Sequence, residues 1–141
     1  MLSRHEIHME KYRKVVRIEA ATMVDMVQHE LLNAASEYED RLCATLLHKR
    51  SAAPELSCHV EKSLVNSIGI LNEQLLEQTV ALKTALETAP TGVSAEEELR
   101  YYHDVVAAGT EAVRETVDRL ETLTAAKYWP YPTFYDLLFS V

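Results

Sequence analysis

Ala89-Pro90-Thr91-Gly92-Val93-Ser94-Ala95-Glu96-Glu97 decides the architecture of this chain. Proline and glycine two residues apart make the first half a turn by composition, and Ser94-x-x-Glu97 has capping-box spacing. The serine hydroxyl suits the third amide of a new helix, and the glutamate reaches back to the cap. Glu96, Glu97 and Glu98 also set negative charge at the positive end of that helix's dipole. Downstream, apolar residues return at helical spacing as Leu99, Tyr102, Val106, Val113, Val117, Leu120 and Leu123, which predicts a helix over 95–127.

Two further helices follow upstream. From Glu55 to Thr88 the apolar stripe is Val60, Leu64, Ile68, Leu71, Leu75, Leu82 and Leu86, and Pro54 suits a first helical turn, where an amide has no partner. Ser51-Ala52-Ala53-Pro54 interrupts the pattern. Before it, over 2–50, the stripe is Ile7, Tyr12, Val15, Ile18, Val24, Val27, Leu31, Tyr38, Leu42 and Leu46. The step of seven from Val24 to Leu31 to Tyr38 is that of a coiled-coil seam, and Asn33 to Ser36 is the weakest stretch, a place for a bend. Short connections make consecutive helices antiparallel, so the expected fold is all-α, an up-down-up bundle of three long helices over 1–127. With 141 residues, three glycines and four prolines, one such domain fills the chain.

The first helix exceeds the second by about 22 Å at roughly 1.5 Å per residue. Joined near residue 52, they leave the excess at the amino terminus, where Ile7, Tyr12 and Val15 form an apolar stripe without a partner in the bundle. Such a stripe marks a contact with another domain or a second copy. A kink near Asn33 that folds the excess back is the alternative.

Residues 128–141 form an aromatic tail. Tyr128, Trp129, Tyr131, Phe134, Tyr135 and Phe139 are six of the ten aromatic residues in the chain. Pro130 and Pro132 force an extended path, and Thr133 with Asp136 offers a weak cap for a short final helical turn carrying Leu137, Leu138 and Phe139. Each buried aromatic or leucine contributes on the order of 1.5–3 kcal/mol, so the tail must dock. Its two destinations are the open end of the bundle near the first hairpin, and a partner surface. The candidate interface residues are therefore Ile7, Tyr12, Val15, Trp129, Tyr131, Phe134, Leu138 and Phe139.

Chemistry is sparse by comparison. The net charge of −8 argues against nucleic acid, whose phosphates need clustered cations. No apolar run approaches the roughly 18 residues of a membrane span, and the amino terminus lacks a signal peptide's apolar stretch, so a cytoplasmic protein is expected. His5, His8, Glu6 and Glu10 share a helix face but lack the further ligands of a zinc site, and they read as solvated surface. A metal-dependent helical enzyme built on them is the weakest reading. Cys43 and Cys58 form no CxxC and read as reduced thiols, although a hairpin could bring them together. Gly69, Gly92 and Gly109 are isolated, which excludes the usual phosphate loops. No catalytic, cofactor or metal site is assigned to this chain.

Two end segments carry a family resemblance. Arg4-His5-Glu6-Ile7, Glu10, Tyr12, Lys14, Val16 and Ile18-Glu19 resemble a stretch in the C-terminal region of type III glutamine synthetases. Trp129-Pro130-Tyr131-Pro132, followed by Leu137-Leu138-Phe139, is similar to that family's closing Trp-Pro-Leu-Pro and Leu-Leu-Phe pattern, with Tyr131 where leucine is frequent. His5 and Phe134 stand where the family often has tyrosine. The resemblance implies a parent ligase that makes glutamine from glutamate and ammonia using ATP and Mg or Mn, held by residues of an upstream catalytic domain that match nothing here. It further implies packing against that domain or against further copies of the subunit in a ring. A freestanding helical protein-interaction module is the competing reading.

Overall fold

The computed structural model describes residues 3–132, and these are helical with no strand among them. The first helix, α1, covers residues 4–52. Ser3 opens it with a full capping box: its hydroxyl accepts the Glu6 amide at 3.2 Å and its amide donates to the Glu6 carboxylate at 3.3 Å. The helix is continuous, as α-helix Arg4–Met26, a π-helical turn Val27–Leu31 and α-helix Leu32–Ala52. The helix runs unbroken through 33–36 and does not fold back, and Ala34 and Ala35 there are good helix formers whose small side chains are buried against neighbours. The irregularity lies earlier, in the π turn. One extra residue there rotates the downstream stripe by about 100° and brings Ala34, Ala35 and Leu42 to the core.

The second helix, α2, is His59–Glu87 and begins four residues later than the sequence suggests. Pro54 lies in the connection rather than in a helical turn, since the Leu56 amide bonds the Ala53 carbonyl at 2.9 Å and closes a turn first. Val60, assigned to the apolar stripe, is exposed, and Glu61 takes the inward position beside Lys49. The third helix, α3, covers residues 95–123, with a π-helical segment Tyr102–Ala107 between α-helices Ala95–Tyr101 and Ala108–Leu123. Gly92 takes the positive φ of 73° that its turn requires, and Ser94 accepts the Glu97 amide at 3.2 Å. The helix stops at Leu123, short of residue 127, and a 3-10 turn follows at Ala126–Tyr128.

Cross-helix pairs set directions and stagger. Asn72 bonds Glu39 at 2.7 Å and Lys49 pairs with Glu61, so α1 and α2 run oppositely. Thr116 donates to Gln78 at 2.6 Å and Tyr101 to the Ala85 carbonyl at 2.6 Å, so α2 and α3 do likewise. Arg13 meets Glu98 at 2.7 Å and Arg17 donates to the Tyr102 hydroxyl at 2.9 Å, so α1 and α3 are parallel. The helices are out of step: α2 covers the later part of α1, and α3 the earlier part. Only the middle has three helices, and there Val27, Leu31, Ile68, Leu75, Leu82, Val106, Val113 and Leu120 are almost wholly buried.

This stagger corrects the expectation for the start of α1. Residues 9–17 do have a partner in the bundle, namely α3, because the connection over 88–94 carries the chain past the end of α2 before α3 begins. The buried residues there are Met9 and Val16, with Ala20 just beyond. Ile18, counted in the apolar stripe, is 65% exposed.

Candidate interface at the amino-terminal end

Where α2 has ended, α1 and α3 meet as a pair without a third helix, and the pair leaves grooves on its flanks. One groove of about 470 Å³ is lined by His5, His8, Met9, Tyr12, Leu99 and His103, among others. A smaller one of about 290 Å³ includes Glu6, Glu10, Arg13, Ala95 and Glu98, and Met9 borders both. The Arg13–Glu98 ion pair stands between the helices, and its hydrogen bond raises the guanidinium pKa above the ordinary value. Apolar floors rimmed by polar side chains suit contact with another protein surface better than reaction chemistry. Among the described residues, no three His, Cys, Asp or Glu side chains gather as a metal-binding group.

The candidate residues of α1 separate. Tyr12 is half-buried, packs on the core and lines the larger groove. Ile7 and Val15 are 42% and 54% exposed and belong to neither groove. Met9 and His103 also line the larger groove and were not singled out by sequence, while Leu99 comes from the apolar stripe of α3. The spacing of seven from Met9 to Val16 held the signal for the methionine, but the competing stripe through Ile7, Val15 and Ile18 is equally helical.

The tail begins inside the domain. Trp129 is 8% exposed and part of the hydrophobic core, and Tyr131 packs beside it. The Tyr128 ring lies 5.4 Å from that of Tyr38 at 41°. The Tyr131 hydroxyl bonds the Glu30 carboxylate, and this bond, with burial, pushes its pKa up to about 12. Docking therefore occurs along the middle of α1, where α3 ends, and not at the first hairpin. Trp129 and Tyr131 are occupied by the chain's own core rather than offered to a partner. Phe134, Leu138 and Phe139, with the short final helical turn, lie outside the described residues.

Residues 1–50, which include the whole amino-terminal strip of the grooves contributed by α1, match the family model of the glutamine synthetase C-terminal domain. The chain is related to the C-terminal domain of glutamine synthetases. A glutamine synthetase of Butyrivibrio fibrisolvens is 30% identical over 139 residues, covering 99% of this chain and 20% of that protein. One from Bacteroides fragilis (strain YCH46) is 25% identical over 141 residues, covering 97% of this chain and 19% of that protein. The chain thus spans about a fifth of the length of the curated relatives it matches. No solved structure matches it.

Both cysteines are free, Cys43 half-buried and Cys58 buried. No helix among the described residues is long and apolar enough to cross a membrane.

Proposed function

We propose that this chain is the non-catalytic C-terminal helical domain of a type III-like glutamine synthetase, an up-down-up bundle that packs on the catalytic domain or between subunits and so supports assembly of the ligase. The observation that carries this reading is the coverage: nearly the whole chain aligns, yet with only about a fifth of each relative. The parent enzyme is proposed to be cytoplasmic and to form glutamine from glutamate and ammonia, with ATP and Mg or Mn held by its catalytic part. Contact is assigned to the groove floor at Met9, Tyr12 and Leu99 and to exposed Ile7, because a two-helix end with apolar flanks accepts a third element readily.

The test begins with the reading frame that encodes the chain, which is expected to carry a ligase catalytic domain in frame upstream. In that full-length protein, Ile7→Asp combined with Tyr12→Asp is expected to shift sedimentation toward smaller species and to lower synthetase activity. Absence of an upstream catalytic domain, or an oligomer and activity both unchanged by the double substitution, overturns the proposal. The first of these results favours a freestanding interaction module.

A further inference from the structure

We infer that the pocket at the first hairpin binds the phosphoryl group of a small anion. This pocket, of about 300 Å³, is lined by Arg50 from the last turn of α1, by His59 and Lys62 from the first turn of α2, and by Leu56 and Ser57 of the connection, among others.

Hairpin geometry puts the two cations there. Lys49 pairs with Glu61 across the hairpin, and Arg50 and Lys62 are the next residues along each helix. One residue turns an α-helix by about 100°, and in two antiparallel helices that step leads both chains out on the same flank. The pair that closes the hairpin thus delivers Arg50 and Lys62 to one pocket.

Neither cation is engaged elsewhere in the fold. Among the described residues, no ion pair involves Arg50, His59 or Lys62, whereas Lys49 on the same hairpin is paired. The carboxylates nearest in sequence do not answer them. Glu61 is buried and turned to Lys49, and Glu55 is not among the residues that line the pocket. Two unpaired like charges on one small pocket repel each other, and a bound anion relieves that repulsion.

A phosphoryl group suits the donors present. At pH 7 a phosphate monoester carries a charge of about −1.5 to −2, which matches two cations where a carboxylate matches one. The Arg50 guanidinium offers a planar fork for two phosphate oxygens, and Lys62 adds a point charge. Ser57 and His59 bring a hydroxyl and an imidazole to the same pocket, and Pro54 and Leu56 give it an apolar wall. This inference needs no catalytic domain and leaves the grooves at the other end of α1 untouched, so it stands or falls apart from the proposed function.

The isotope-labelled 141-residue chain is titrated at pH 7 with inorganic phosphate and, separately, with glycerol 3-phosphate, against sodium chloride at matched ionic strength. Amide shifts in its NMR spectrum are expected to centre on residues 50 and 56–62. They should saturate with half-occupancy at about 1 mM or below, the strength of two or three hydrogen bonds to charged groups. Arg50→Gln combined with Lys62→Gln is expected to weaken binding about tenfold or more. Lys83→Gln combined with Arg119→Gln removes the same charge at other exposed positions and is expected to change nothing. Tighter binding of glycerol 3-phosphate supports the inference and identifies an organic phosphate as the ligand; equal binding supports it and identifies free phosphate. Shifts that stay linear with concentration, that sodium chloride reproduces, or that survive the first double substitution overturn it. Should that variant not fold, as judged by circular dichroism, Lys62→Gln alone replaces it, with an expected loss of about threefold or more.

Discussion

Both ends of α1 pair with a single neighbour, yet the two ends are built differently. At the hairpin end, a short connection over 53–58 ties α1 to α2, and polar pairs close the gap: Lys49 with Glu61, and Glu39 with Asn72. At the amino-terminal end, α1 and α3 are brought together only through the rest of the bundle. One ion pair and one tyrosine bond join them, with apolar grooves beside. A pair tied by a turn is held in register by its own chain, whereas a pair assembled at a distance depends on the middle. The second kind of end is the one that gains from an added element.

The middle should therefore dominate stability. Trp129→Ala is expected to cost about 3–5 kcal/mol, because it empties a large core site at the point where α3 stops. Denaturant unfolding of the 141-residue chain measures it. A loss below about 1 kcal/mol would mean that the middle holds without the tail, and that the ends are more independent than the stagger suggests.

The hairpin end should respond to acid. The Lys49 hydrogen bond holds the Glu61 carboxyl below its ordinary 4.5, so its contribution is present above the unfolded-state value and is lost as pH falls through the folded one. Glu61→Gln is expected to be less stable than the unaltered chain at pH 7 and to converge with it in acid, read from denaturant midpoints at pH 7 and pH 3. A constant gap across that range would separate the hairpin's stability from this pair.

The smallest effect is expected at the opposite end. Arg13→Ala removes an ion pair whose side chains are 35% and 26% exposed, so the isolated chain should lose less than about 1 kcal/mol, and less still at high salt. A loss as large as that of Trp129→Ala would show that the amino-terminal pair is as tightly coupled to the core as the middle.

The helices and the cap at Ser94 were legible in the sequence because they rest on local chemistry: turn composition, hydroxyl capping and apolar spacing. The starting cap at Ser3 and Glu6 obeys the same rule and could have been found by it. Pro54 misled because a proline fits equally a helical first turn and the connection before it. Val60 and Ile18 misled for another reason. Each has helical spacing to core residues, but which face is buried depends on what lies opposite, and Glu61 with Lys49 claims the inner position near Val60.

By itself the sequence determined that the chain is helical, roughly where each helix begins and ends, and that its carboxy-terminal aromatics must be buried. These follow from backbone preferences and from the cost of wet apolar surface, which act within a few residues. Only the tertiary structure decided the stagger of α2 against α3, the partner of Met9 and Val16, and the docking of Trp129 and Tyr131 along the middle of α1. Those depend on contacts between segments up to a hundred residues apart, where two equally periodic stripes compete and the element packed opposite chooses between them.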